Sequence, residues 1–171
     1  MILTAHLLSG AVIVAKTQNP FLGFLFAFLS HYFLDLLPHQ EYSIENIRKL
    51  QGHPLKNQKT FPFFLLSEDT IKLWEKSFSD FLKVALDFSL GVLIIFILSE
   101  NLLLSLSGGF FAVLPDGLTF LSIILPKNKL LKKHYFFHRE KVHYLGNKKI
   151  PALWKILTQV FVIFIAIFFL L

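Results

Sequence analysis

The side chains best suited to chemistry are concentrated in residues 29–39, where His31, Asp35 and His39 recur at every fourth position of an otherwise apolar run. Residues four apart lie on one face of a helix, so His31 and Asp35 point the same way, and Pro38 is expected to end the helix before His39. Two imidazoles and a carboxylate suit zinc, manganese or iron. The spacing therefore predicts a metal site, with hydrogen bonding between helices as the alternative.

Five residues in distant parts of the chain are further candidate metal ligands: His6, Asp87, Asp116, His138 and His143. Asp87 lies in an apolar run, where it could instead orient a histidine or pair with Lys83, four residues earlier. Asp116 follows Pro115, and the alternative to a ligand role is a carboxylate that is solvated in a turn. An ionisable group at membrane depth is costly unless it pairs or binds something. The apolar neighbours of Asp87 and Asp116 therefore favour a functional site at each residue.

A basic segment carries the last three histidines. His134 and His138 share a helix face at a spacing of four. Arg139 could bind a phosphate or carboxylate oxygen, and we name Arg139 and Glu140 as candidate catalytic residues. The alternative is an interfacial segment attracted to anionic lipid headgroups.

Composition indicates an integral membrane protein. The 171 residues are 54 % hydrophobic and include 21 Phe, and the mean hydropathy is +0.61. Long apolar stretches occur near residues 84–99, 103–125 and 151–171, and a membrane span needs about 20 such residues. With no cysteine in the chain, disulfides and thiolate metal sites are excluded, so a metal here must be held by His, Asp, Glu or water.

The pattern predicts an all-α fold, a polytopic helical membrane protein with about five membrane-embedded helices in a single domain, residues 1–171. The first helix, residues 5–16 with Thr4 as its N-cap, and the second, residues 21–37, are short for full crossings. We expect a helical hairpin, either crossing or re-entrant.

A polar cytoplasmic loop is expected at residues 40–76, with an interfacial helix at 67–76. The remaining helices are predicted at residues 77–99, 102–125 and 151–171, with an interruption of the second of these at residues 115–117. Residues 127–149 form a basic, histidine-rich cytoplasmic segment.

Charge sets the expected topology. Of the 17 Lys and Arg residues, seven lie in residues 38–83 and eight in residues 126–150. Positive loops stay in the cytoplasm, which predicts a multi-pass protein of the bacterial inner membrane with six of the seven histidines near the cytoplasmic face. His53, in the first loop, is expected to be a solvated bystander.

Four short motifs resemble a family of bacterial inner-membrane metal-dependent hydrolases, the LexA-binding, inner-membrane-associated hydrolases. They are Ala-His-Leu-Leu-Ser-Gly at residues 5–10, Leu-Ser-His with Asp35 at residues 29–35, Leu-Pro-Asp at 114–116, and His-Arg with His143 at 138–143. The family resemblance implies a helical membrane domain and metal-dependent hydrolysis. Gly117, Leu118 and Thr119 follow Asp116 here, so the second Asp and the His of the family's motif are absent. The His-x3-Asp pair also resembles that of the helical zinc phospholipase C and nuclease group.

These observations predict a membrane-bound hydrolase that uses one or two divalent metals, zinc first among them, to activate water against a phosphoester, ester or amide. A site at the lipid–water boundary favours a lipid-like or phosphorylated substrate. The bilayer is the expected partner, and no specific nucleic-acid binding is expected. The alternatives are non-catalytic: a metal-ion permease, or a membrane scaffold with a basic, lipid-binding face.

Overall fold

A computed structural model describes residues 1–40, 42, 68–125, 127–144 and 150–171. All regular structure in these residues is helical, and no strand occurs among them. The described residues form six α-helices and one 3₁₀ turn, at Val142–Tyr144. The helices are α1 (Leu3–Lys16), α2 (Pro20–Asp35), α3 (Glu68–Leu98), α4 (Leu102–Ile124), α5 (Lys129–Glu140) and α6 (Ala152–Leu170). Most of the predicted polar loop, including His53, lies outside the described residues.

In the part of the chain that the structure describes, three helical segments are long and apolar enough to cross a membrane: Glu75–Leu98, Leu102–Ser122 and Ala152–Leu170. That is fewer than the five membrane-embedded helices predicted. Helices α1 and α2 have 14 and 16 residues, so at 1.5 Å per residue they extend only ~21 and ~24 Å. Neither helix reaches the roughly 30 Å thickness of a hydrocarbon core.

The start of α2 follows from its sequence. The Asn19 side chain accepts hydrogen bonds from the backbone N–H groups of Phe21 and Leu22, and Pro20 occupies the first turn, where its missing N–H costs nothing. Helix α1 begins at Leu3 rather than after an N-cap at Thr4. The Thr4 side chain bonds to another helix instead, as described below.

Two predicted breaks are wrong. Helix α3 is continuous from Glu68 to Leu98, where we expected a separate interfacial helix before the membrane span. Helix α4 continues through Pro115, where we expected an interruption. A proline removes one helical hydrogen bond, which a helix inside a bundle tolerates when neighbouring groups satisfy the freed backbone.

The described chain separates into two compact units, Met1–Glu41 with Asp87–Leu171, and Tyr42–Leu86. In the first unit α1 is the central helix, and it packs against α2, α4 and α6. Its buried side chains include Ala5, Leu7, Leu8, Ala11 and Val14. In the second unit, the first part of α3 carries an ion pair between Lys83 Nζ and Asp80 Oδ1 at 3.6 Å.

Small residues let α1 and α4 approach closely. A Cβ atom added at Gly10 would collide with the carbonyl oxygen of Gly108, and one added at Gly108 would lie 2.5 Å from the carbonyl oxygen of Gly10. Glycine and other small residues allow this kind of backbone approach between helices in membranes. The contact occurs one turn after His6 and fixes the distance between these two helices.

Helix α2 presents one buried stripe to the rest of the first unit. Gly23, Ala27, His31 and Asp35 are its buried residues, spaced by four so that they share one face. Large apolar side chains such as Phe21 and Phe33 are exposed, as lipid-facing residues would be. The stripe places both ionisable groups inside the protein.

Candidate metal centre

Five imidazoles surround the carboxylate of Asp35, whose side chain is fully buried. Their Nε2 atoms lie near its two oxygens. His6 Nε2 is 3.1 Å and His39 Nε2 is 3.6 Å from Oδ1. The Nε2 atoms of His31, His138 and His143 are 3.1, 3.2 and 3.2 Å from Oδ2. These histidines come from α1, α2, the segment after α2, α5 and the 3₁₀ turn. The tertiary structure therefore makes one cluster from five separate places in the chain.

A second carboxylate lies at the edge of this cluster. Asp116 Oδ1 is 3.7 Å from His31 Nε2, and the Asp116 side chain is 33 % exposed. His31 Nε2 is also 3.0 Å from His138 Nε2. Among the described residues, two groups have the spacing to hold a metal ion: His31, Asp35, Asp116 and His138, and Asp35, His39 and His143.

Three of the imidazoles are oriented through their other ring nitrogen. His31 Nδ1 lies 2.7 Å from the carbonyl oxygen of Ala112, and His39 Nδ1 lies 2.7 Å from the carbonyl oxygen of Leu37. His138 Nδ1 is 3.1 Å from the Thr119 hydroxyl. Histidines that bind metal usually make this second hydrogen bond to a carbonyl, carboxylate or water, because it fixes the tautomer and the ring orientation.

The hydrogen bonds of His31 and His39 decide which of their ring nitrogens faces the cluster. A carbonyl oxygen only accepts, so Nδ1 of His31 and of His39 must donate, and in a neutral imidazole this leaves Nε2 as a bare lone pair. The His31 lone pair faces Oδ2 of Asp35, which also only accepts, whereas His39 Nε2 lies 3.2 Å from His143 Nδ1. Buried acceptors directed at one another are unfavourable, and a cation between His31 Nε2 and Asp35 Oδ2 would remove that conflict.

The protonation of the outer histidines agrees with this picture. Burial lowers the pKa of His39 to about 4, with the Met1 ammonium acting in the same direction, so His39 is neutral at pH 7. The Met1 amino group itself lies 2.6 Å from Asp35 Oδ1. Burial also lowers the pKa of His134, whose Nε2 lies 3.1 Å from the Tyr32 hydroxyl.

Seven of the predicted metal ligands meet at the centre: His6, His31, Asp35, His39, Asp116, His138 and His143. The eighth, Asp87, bonds to Thr4 instead, and like His6 it belongs to neither of the two groups that the described residues form. Its Oδ1 accepts a 2.6 Å hydrogen bond from the Thr4 hydroxyl, and its Oδ2 accepts one of 3.2 Å from the Thr4 backbone N–H. Asp87 thus anchors the start of α1, two residues before His6.

The two candidate catalytic residues lie on the exposed side of α5. Arg139 and Glu140 are both exposed, and Arg139 donates a hydrogen bond to the Tyr135 hydroxyl on its own helix. Their neighbour His138 is 2 % exposed. The helix therefore directs His138 into the cluster, while Arg139 and Glu140 lie on its exposed face.

Sequence analysis did not identify the hydrogen-bond partners of the histidine Nδ1 atoms, which are the Thr119 hydroxyl and the carbonyl groups of Ala112 and Leu37. Thr119 lies three residues after Asp116, a spacing that puts both on one face of a continuous helix, but the expected interruption at Pro115 hid that relationship. The carbonyl of Ala112 lies in α4, three residues before Pro115. Backbone acceptors leave no signature in a sequence, so those two partners required the fold.

Comparisons of the chain with protein-family models, with curated proteins and with solved structures return no match. The resemblance to the inner-membrane hydrolases therefore rests on the four short motifs alone. The functional argument has to come from the centre itself.

Proposed function

We propose that this protein is a membrane-bound, metal-dependent hydrolase whose metal is held by His31, Asp35, Asp116 and His138. The observation that carries the proposal is the convergence of imidazole Nε2 atoms on a buried carboxylate while His31 Nδ1 is committed to the Ala112 carbonyl. That arrangement directs the lone pair of His31 Nε2 toward the carboxylate of Asp35.

The donor set fits a first-row divalent ion. Two imidazoles and two carboxylates suit zinc, with manganese or iron as alternatives. The ligands His31, Asp35 and His138 are buried, while Asp116 is partly exposed. The side of the centre at Asp116 is thus the route by which water and substrate would reach it.

A bound divalent cation would supply a nucleophilic water at neutral pH by lowering its pKa to ~7. The chain's own contribution is orientation. The Ala112 carbonyl and the Thr119 hydroxyl hold the rings of His31 and His138 in place, and Asp35 provides the negative charge that attracts the cation. Exposed Arg139 is the candidate for binding an anionic substrate, with Glu140 beside it.

The membrane setting extends the proposal. Three helices could cross a bilayer, and we propose that α1 and α2 add a short re-entrant hairpin, giving about five embedded helices. The positive loops favour the bacterial inner membrane with the centre on its cytoplasmic side. A centre at that boundary suits a lipid-like or phosphorylated substrate cleaved at a phosphoester, ester or amide bond. The motif resemblance to the inner-membrane hydrolases points the same way.

The test is metal analysis of detergent-purified protein followed by hydrolysis of bis(4-nitrophenyl) phosphate. We expect stoichiometric metal in the wild type, its loss in a His31→Gln, His138→Gln double variant, and turnover only with metal present. The matched control is His53→Ala, which removes a histidine expected to be a bystander and should keep both the bound metal and the turnover.

Other outcomes separate the alternatives. Metal that is bound without turnover, but that crosses the membrane of a sealed proteoliposome, would identify a permease. A wild type without metal that binds anionic vesicles would identify a scaffold. Either result would overturn the hydrolase proposal.

A further inference from the structure

Helix α5 lies in the connection between two of the segments that could cross a membrane, Leu102–Ser122 and Ala152–Leu170. With 12 residues it extends only ~18 Å, which is too short to cross a bilayer. When two successive segments both cross, the connection between them stays on one side. Helix α5 would therefore lie at one face of the membrane.

Two hydrogen bonds from the inner face of α5 set its depth. His138 Nδ1 lies 3.1 Å from the hydroxyl of Thr119, which is three residues before the end of the segment Leu102–Ser122. His134 Nε2 lies 3.1 Å from the hydroxyl of Tyr32, which is three residues before the end of α2. Helix α5 thus lies beside the ends of two apolar helices. In a membrane, the ends of such helices are at the level of the lipid headgroups.

The rest of the α5 surface divides into an apolar edge and a charged edge. Leu130 and Phe137 are seven residues apart and therefore share one edge, and they are 80 % and 52 % exposed. Lys132 and Arg139 share the opposite edge by the same spacing, and both are exposed. The ring of Phe137 lies 5.9 Å from that of Tyr32, so the apolar edge adjoins α2. Helices with one apolar and one basic side lie in the plane of the membrane interface.

The outer face of α5 is basic. Lys129 and Lys133 are one helical turn apart, both are exposed, and Lys132 lies beside them. Glu140 is the only acidic residue of this helix. Lysine side chains bury their aliphatic stems along apolar surface and extend their ammonium groups toward polar groups. The anionic lipids of a cytoplasmic leaflet attract such clusters of positive charge.

We propose that α5 is an interfacial helix that binds the phosphate groups of anionic phospholipids. Lys129, Lys132 and Lys133 contact the headgroups, and Leu130 and Phe137 enter the boundary of the acyl chains. Charge complementarity and the position of α5 beside the ends of α2 and α4 together identify the lipid surface as the partner. This inference rests on the membrane setting proposed above and does not depend on a bound metal.

Spin-labelled lipids test the binding in the full chain. In phosphatidylcholine vesicles, the wild type should immobilise spin-labelled phosphatidylglycerol with a roughly fivefold preference over spin-labelled phosphatidylcholine. A Lys129→Gln, Lys132→Gln, Lys133→Gln variant should lose that preference, and the corresponding triple Lys→Arg variant should keep it. The matched control is Lys16→Gln, which removes an exposed lysine at the end of α1 and should also keep it. Helical circular dichroism would show that each variant is folded.

A nitroxide label gives a second readout, because the chain contains no cysteine that would compete for it. On Leu130→Cys the label should collide more often with oxygen, which concentrates in lipid, than with a water-soluble nickel chelate. On Lys132→Cys the order should reverse.

Two outcomes would overturn the interfacial assignment and leave the proposed hydrolase standing. One is an equal lipid preference in the wild type and the triple Lys→Gln variant. The other is a Leu130→Cys label that collides mainly with the nickel chelate. A wild type that does not insert into the vesicles would overturn both the lipid binding and the membrane-bound hydrolase.

Discussion

His31 on α2 donates a hydrogen bond from Nδ1 to the carbonyl oxygen of Ala112 on α4, across 2.7 Å of a fully buried contact. This bond joins the two helices and decides which ring nitrogen of His31 is left for chemistry. With Nδ1 committed, Nε2 faces Asp35 as an acceptor. The same logic applies at His39, whose Nδ1 donates to the Leu37 carbonyl and whose Nε2 lies 3.2 Å from His143 Nδ1.

Asp35 should be the most sensitive position of the centre. In Asp35→Asn the negative charge is lost, so the attraction for a cation falls although the side chain keeps its shape. We expect the metal content of purified protein to drop by at least tenfold, measured by inductively coupled plasma mass spectrometry. Glu100→Gln, which removes an exposed carboxylate in a turn, is the control, and equal metal content in the two variants would contradict the assignment.

Thr119 should act through His138. Its hydroxyl lies 3.1 Å from His138 Nδ1, and loss of such an outer partner typically lowers metal affinity about 10–100-fold. Thr119→Val, of nearly equal volume, should show that loss in a chelator competition titration, and Thr119→Ser should restore wild-type affinity. If valine binds metal as tightly as threonine, the hydroxyl does not orient the ring.

Asp87 should prove structural. Because its carboxylate accepts two hydrogen bonds from Thr4, Asp87→Asn should leave the metal stoichiometry unchanged. Thr4→Val removes the hydroxyl and leaves the acceptor underpaired, which costs about 1–3 kcal/mol, so the thermal unfolding midpoint in detergent should fall. Metal loss in Asp87→Asn with an unchanged midpoint would instead return Asp87 to the set of ligands.

The contact between Gly10 and Gly108 should tolerate no added methyl group. Gly10→Ala would drive a Cβ atom into the Gly108 backbone, and overpacking of this kind costs about 1–3 kcal/mol. We expect a lower unfolding midpoint and weaker metal retention, since α1 carries His6. At Gly117, also in a helix, nothing lies within 4 Å of an added Cβ, so Gly117→Ala should be neutral or stabilising. Equal midpoints would show that the two helices can separate without cost.

The fold could be predicted where local pattern is sufficient. Apolar length identifies the three long helices, and the Asn19–Pro20 pair marks the start of α2. The predicted break at Pro115 failed because a proline's effect depends on its neighbours: the helix stays continuous among packed helices. Sequence periodicity reports a residue's own helix and says little about what packs against it.

The sequence alone determined that the chain is helical and apolar, that a metal could only find imidazole or carboxylate ligands, and that His31 and Asp35 share a face. Those properties are encoded in residue types and in spacings of a few residues. Only the tertiary structure decided that His6, His39, His138 and His143 meet at Asp35, that Asp87 turns to Thr4, and that Arg139 stays outside. Such choices depend on how helices far apart in the chain pack together, for which the chain carries no local signal.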